Sequence, residues 1–161
     1  MSKVKLKKKQ KNLEFQEIYG FHSVLAALQN TKRKHFGLFI LEKYKELSKK
    51  YSHIIGKIKI LRNKQMSNLF GSENVTQGIV LKSSPLPIIS FEKIFINSQS
   101  NKTSIIVVLD QITDPNNIGA IMRSCALFQC KSIIVPKYHA PDITPALSKS
   151  ASGAIEVVNY V

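Results

Sequence analysis

The sequence predicts an α/β protein of two modules: a small α/β domain over residues 18–82 and a domain built on a parallel sheet over residues 104–161. Three observations lead there. Helical and strand periodicities alternate along the chain, Pro85 and Pro87 interrupt the pattern midway, and the β-branched run "SIIVVLD" opens a strand of the kind that is buried on both faces. Residues 1–17 read as a disordered cationic tail and residues 83–103 as a linker.

In "YGFHSVLAALQN", Phe21, Val24, Leu25 and Leu28 follow the i, i+3, i+4, i+7 spacing of a helix entered after Gly20. "FGLFIL" is the next strand. Tyr44, Leu47, Tyr51, Ile54 and Ile55 then mark one face of a second helix, with Lys43, Lys45, Lys49 and Lys50 on its remaining surface. "KIKIL" alternates with period two, as a half-buried strand does. "NKQMSNLF" gives a short helical pattern, "GSEN" a turn and "QGIVLK" the last strand of the module. In the linker, Ser90 is placed to cap a helix through "FEKIFIN", and "SQSNKT" reads as exposed loop.

After "SIIVVLD", "QITDPNN" supplies a turn, and "IGAIMRSCALFQ" a helix whose Ile118, Ile121, Met122 and Cys125 face the core. "KSIIVP" is a second buried strand, "TPALSKSA" a short helix and "IEVVNYV" a third strand. Strands alternating with helices in this way imply parallel pairing by right-handed crossovers. Ligands of such sheets bind beyond the carboxyl ends of the strands, where "DQITDPNN" lies.

Charge separates the modules more sharply than periodicity. Residues 1–101 carry 19 Lys/Arg against 6 Asp/Glu, whereas residues 102–161 carry 5 against 4, within a chain of 161 residues and net charge +14. A basic excess confined to one part favours a polyanion, and nucleic acid first, because each phosphate neutralised releases condensed counterions. Lys7, Lys8 and Lys9 in the tail and Lys32, Arg33 and Lys34 in "TKRKH" are the expected RNA contacts. No apolar run approaches the roughly 20 residues that span a bilayer, so no membrane role is expected. Cys125 and Cys130 form neither a disulfide framework nor a zinc pattern, and His22, His35, His53 and His139 are scattered, so a cytoplasmic, metal-free protein is expected.

The candidate site centres on "DPNNIGAIMR". At about 100 degrees per residue, Arg123 sits about 140 degrees around the helix from Ile118 and shares a face with Gly119. Its guanidinium is expected to lean toward the helix N-terminus over the bare glycine, while Asn116 or Asn117 caps the helix and its amides favour an anion. Turn-and-cap chemistry beside a solvated arginine accounts for the same residues without any function.

"VLDQITDPNNIGAIMRSCALF" with "SIIVPKYHA" resembles the first motif of the SpoU class of RNA ribose 2'-O-methyltransferases in the SPOUT superfamily, and "SKSASGAIEVV" resembles the stretch that follows. "YGFHSVLAAL" and "TQGIVL" resemble the start and end of the ribosomal-protein-like RNA-binding domain of the 23S rRNA guanosine methyltransferase branch. The resemblance runs over roughly residues 18–161 and implies the first half of an α/β-knot methyltransferase domain behind that RNA-binding domain. It further implies S-adenosylmethionine as methyl donor, rRNA or tRNA as substrate and a homodimer. Asn117 falls on the asparagine that shapes the family's catalytic pocket, and Arg123 on the arginine that acts on the ribose 2'-hydroxyl.

The family's Gly-x-Glu-x-x-Gly and Ser-Leu-Asn motifs, which form the cofactor pocket, are not found in these 161 residues. The sequence is therefore expected to stop before the cofactor-binding motifs and to hold no cofactor-binding residues of its own. A non-catalytic RNA-binding remnant is the alternative. Whether Glu156 and Lys149 border the RNA surface is left open by the sequence.

Overall fold

The computed structural model describes residues 15–71, 76–87, 89–99 and 104–161, with side chains only to Ile96 in the helix that ends at Gln99. Lys7, Lys8 and Lys9 lie outside the described residues, as does most of the turn expected at "GSEN".

The first sheet is built from β1 (Gln16–Tyr19), β2 (His35–Leu41), β3 (Ile58–Leu61) and β4 (Ile79–Ser83), with α1 (Phe21–Gln29), α2 (Lys45–Tyr51) and α3 (Asn63–Phe70) packed on it. Its order is β1-β4-β2-β3. The β2–β3 pair is parallel, joined through α2, while β4 runs antiparallel to both β1 and β2. Strand β1 was not expected, and it takes in Gln16 and Glu17, which composition had assigned to the tail. "QEIY" is too short and polar to read as a strand, and its register against Tyr19↔Val80 and Ile18↔Leu81 is what makes it one.

Each face of this sheet has its own core. Val24, Ala27 and Leu28 of α1 bury against Ile18, Leu38, Ile40, Ile79 and Leu81, while Met66 and Phe70 of α3 cover Tyr19 and Val80 on the other face. The expected second helix is shorter than its apolar spacing suggests. It runs only from Lys45 to Tyr51 between single 3-10 turns, and Ile54 is exposed while Ile55 is buried.

After α4 (Phe91–Gln99) the second sheet forms from β5 (Ile106–Val108), β6 (Ser132–Ile134) and β7 (Asn159–Tyr160), all parallel and in that order. Helices α5 (Pro115–Leu127) and α6 (Pro145–Ser150) fall between the strands. Ile118, Met122 and Cys125 of α5 pack with Leu109, Ile133 and Leu147, as their spacing predicts. Two expectations fail here. Strand β5 is not buried on both faces, since Val108 is 69% exposed while Val107 and Leu109 turn inward. "IEVVNYV" is not one strand: Ala154–Glu156 is a 3-10 turn entered through Gly153 at φ +92°, and only Asn159 and Tyr160 join the ladder.

The sheets meet across α6 and α1. The Ser23 hydroxyl donates to the Ser148 carbonyl at 2.8 Å, and the Gln16 side-chain amide donates to the Ile143 carbonyl at 3.3 Å. Gly153 lies so close to α1 that a Cβ there would stand 2.6 Å from the Ala26 methyl.

Candidate functional site

Strand β5 delivers the chain into the Asp110–Asp114 turn, where Gln111 takes φ +56°, and the turn feeds α5. The cap is Asp114, not Asn116 or Asn117. Its Oδ1 accepts the Asn116 backbone N–H at 3.0 Å, and Pro115 occupies the first helical position, where a missing N–H costs nothing. The Asp114 carboxylate already stands at the helix start and takes the Asn116 amide, so its negative charge disfavours the open anion site that the sequence suggested.

Gly119 also has a different task from the one its spacing implied. It is buried against the end of α6, where an added Cβ would stand 2.5 Å from both Cβ and Oγ of Ser150 and 2.8 Å from the Ala151 backbone nitrogen. The glycine permits a close helix crossing. Arg123, one turn on, is exposed and reaches the same place: its Nη1 donates to the Ser150 carbonyl, and Ser150 Oγ donates to the Asn116 carbonyl at 3.0 Å. A cation on a terminal carbonyl of a helix is favoured by charge and hydrogen bonding together. Arg123 is thereby fixed at the surface by one donor, with the rest of its fork free of that bond. Ser150 was not singled out in the sequence, and a serine in the small-residue run "SKSASG" gives no signal of such a role.

Asn117 faces elsewhere, about 120 degrees around α5 from Arg123. It lines a shallow, open concavity with Gln111, Ile112, Thr113, Asp114, Ala120 and Ile121. The two expected catalytic residues thus share a helix but not a pocket.

Of the expected RNA contacts, Lys32 and Lys34 are exposed, but Arg33 is not available to a phosphate. Its side chain has no exposed surface and forms a two-pronged pair with Glu156, Nε to Oε2 and Nη2 to Oε1, each 2.8 Å. Nη1 donates to the Ser84 carbonyl at 2.6 Å and Gln16 Oε1 at 3.2 Å, and the Asn30 amide donates to Glu156 Oε2 at 2.7 Å. Glu156 therefore does not border an RNA surface. Within "TKRK" nothing local separates the buried arginine from its exposed neighbours. Nearby, burial and then the Arg33 charge push the His35 imidazole below its ordinary pKa, partly opposed by Glu156. Burial and the neighbouring Cys130 push the Cys125 thiol up, which suits a core residue and not a nucleophile.

Residues 104–161 match the SpoU rRNA Methylase family, and residues 18–88 match the RNA 2'-O ribose methyltransferase substrate binding family. The chain is thus similar to SpoU rRNA methylases over residues 104–161 and to their substrate-binding module over residues 18–88. It is 28% identical over 151 residues to the 23S rRNA (guanosine-2'-O-)-methyltransferase RlmB of Acinetobacter baylyi, covering 89% of this chain and 59% of that protein. It is 27% identical over 186 residues to the mitochondrial rRNA methyltransferase 1 of Saccharomyces cerevisiae, covering 96% of this chain and 45% of that protein. The chain therefore spans about half to three-fifths of the length of these SpoU-family relatives. Among solved structures, the SpoU methyltransferase AviRb of Streptomyces viridochromogenes with AdoMet aligns with a TM-score of 0.69 at 17% identity, over 92% of this chain and 55% of that one. An AdoMet-bound rRNA methyltransferase from Sinorhizobium meliloti gives 0.69 at 17%, over 92% and 54%. At such identities these two show the shared SpoU-type fold.

Proposed function

We propose that this chain takes part in S-adenosylmethionine-dependent 2'-O-methylation of RNA ribose, with residues 18–82 as the RNA-binding domain and residues 104–161 carrying the reacting arginine. The observation that carries the reading is Arg123, a surface guanidinium held on the Ser150 carbonyl beside the Gly119–Ser150 crossing. S-adenosylmethionine supplies an electrophilic methyl when bound. The concavity lined by Asn117 is shallow and open and does not form an enclosure for the donor, so the contribution of these residues is read at the ribose.

A guanidinium stays protonated in proteins, so Arg123 serves as a fixed cation and hydrogen-bond donor. It would orient the ribose 2'-hydroxyl and an adjacent phosphate and stabilise the alkoxide character that develops as that oxygen displaces the thioether from the donor's methyl and gives up its proton to solvent. Asn117 shapes the neighbouring wall. Lys32 and Lys34, with Lys7, Lys8 and Lys9 of the N-terminal segment, attract the RNA backbone. A homodimer and a cytoplasmic location complete the proposal, the first supported by the exposed apolar side chains of Val108, Leu127 and Phe128.

The test is transfer of tritiated methyl from S-adenosylmethionine to unmodified rRNA, located as an alkali-resistant 2'-O-methyl dinucleotide. Arg123→Ala is expected to lower transfer by roughly a hundredfold to a thousandfold without changing the melting temperature. Wild-type rates in that variant would remove Arg123 from the chemistry. The assay is run with the chain supplemented by a separate polypeptide bearing the Gly-x-Glu-x-x-Gly and Ser-Leu-Asn motifs, and RNA binding with no transfer in that reconstituted enzyme would replace catalysis by a purely RNA-binding role.

A further inference from the structure

A line of cationic and aromatic side chains runs up to and across the junction of the two sheets, on residues that neither composition nor spacing singled out as a group. It starts at Arg123. The carbonyl that holds Arg123 belongs to Ser150, and the preceding residue, Lys149, lies against the β1–α1 turn: a Cβ on Gly20 would stand 3.5 Å from Lys149 Cγ and 3.2 Å from Gln77 Oε1. Gln77 Oε1 in turn accepts the Phe21 backbone N–H at 3.0 Å, which fixes the turn beneath the lysine. Gly20, at φ +87°, keeps that approach open where a side chain would be strained as well as crowded.

Beyond the turn the surface becomes aromatic. The Phe21 ring stacks on Tyr44 at 5.5 Å between centroids and 22° between planes, and His22 meets Phe21 edge-on at 5.3 Å. Lys43 holds its ammonium 4.9 Å from the Tyr44 centroid. His22 and Lys43 are exposed, and Phe21, Tyr44 and Lys149 are half-buried. Glu42 beside Lys43 is already paired with Lys45 at 2.9 Å, so it does not cancel this cation. Three cations thus flank a cluster of rings on the first sheet's elements, Lys43 beside Tyr44 on the same side and Lys149 and Arg123 on the helices of the second sheet.

Resting on the function proposed above, we propose that the line from Arg123 through Lys149, Phe21 and His22 to Tyr44 and Lys43 receives the unpaired nucleotides flanking the target ribose. The lysines contact phosphates and the rings receive bases. Cations interleaved with aromatic faces suit single-stranded RNA, because a duplex hides its base faces. The excess of basic residues in positions 1–101 favours the same partner over an acidic peptide, which has no bases to stack.

The experiment is anisotropy of a fluorescein-labelled short single-stranded RNA titrated with the full chain over a range of salt concentrations. Lys43→Ala and Lys149→Ala are each expected to weaken binding roughly threefold to tenfold and to flatten the salt slope by about 0.7 to 1. Lys64→Ala, an exposed lysine on α3 across the first sheet, should change neither. Tyr44→Leu should weaken binding roughly tenfold at unchanged slope, since stacking releases no counterions. If the unaltered chain binds and Lys43→Ala and Lys149→Ala behave like Lys64→Ala, this surface is refuted and the proposed function stands. If the unaltered chain binds no RNA, both fall, and binding of a polyglutamate peptide in its place would identify an acidic protein as the partner.

Discussion

Replacing Glu156 with glutamine should separate the two sheets before it unfolds either. The change keeps the side-chain volume but removes the charge that faces Arg33, and it turns an amide donor toward guanidinium or Asn30 donors at 2.7–2.8 Å. Arg33 has no exposed side-chain surface and Glu156 only 4%, so water cannot replace the lost partner. Removing one member of a buried pair costs about 3–5 kcal/mol, against about 0–1 kcal/mol for an exposed one. Each sheet has its own apolar cluster, so this cost is expected at the junction. The assay is twofold. Urea unfolding gives the loss in stability, and 15N relaxation shows whether amides of the two sheets still tumble with one correlation time. Arg33→Met with Glu156→Leu should be less destabilised than either single change, because no unpaired charge remains. A loss under about 1 kcal/mol for Glu156→Gln, with a single correlation time retained, would show the pair to be screened like a surface contact and would refute the reasoning.

Gly119→Ala gains helix propensity worth about 0.5–1 kcal/mol, yet its methyl meets Ser150 at 2.5 Å, so a net loss of roughly 1–2 kcal/mol is expected from overpacking. A thermal melt checks it, and an unchanged or raised midpoint would mean that α6 yields freely. His35 is held below its ordinary value of 6.5 by burial and Arg33, so the unfolded chain binds its proton first as pH falls. Stability should be full above about pH 6.5 and decline below it, and His35→Gln should flatten that part of the profile of urea midpoints. A slope unchanged in His35→Gln would assign the dependence to another group.

The sequence by itself determined the alternation of helices and strands, because periodicity is a local property. Ile118, Met122 and Cys125 lie on the buried side of α5 as their spacing requires, and the β-branched runs at 105–108 and 133–135 supply parallel strands. It also separated the basic part of the chain from the near-neutral part, since charge is additive along a chain. What it could not determine were matters of partner. "QEIY" becomes a strand only by pairing with β4, and Asp114 displaces the asparagines as cap through the geometry of one turn. Arg33 and Lys34 read alike in "TKRK", yet one side chain is sealed against Glu156, 123 residues away, and the other stands in solvent. Gly119 reads as clearance for Arg123 until α6 fills the space above it. Periodicity and charge are carried by each residue and its near neighbours, whereas burial, capping and pairing depend on which distant groups the closed chain brings within a few ångströms, and only the tertiary structure decides that.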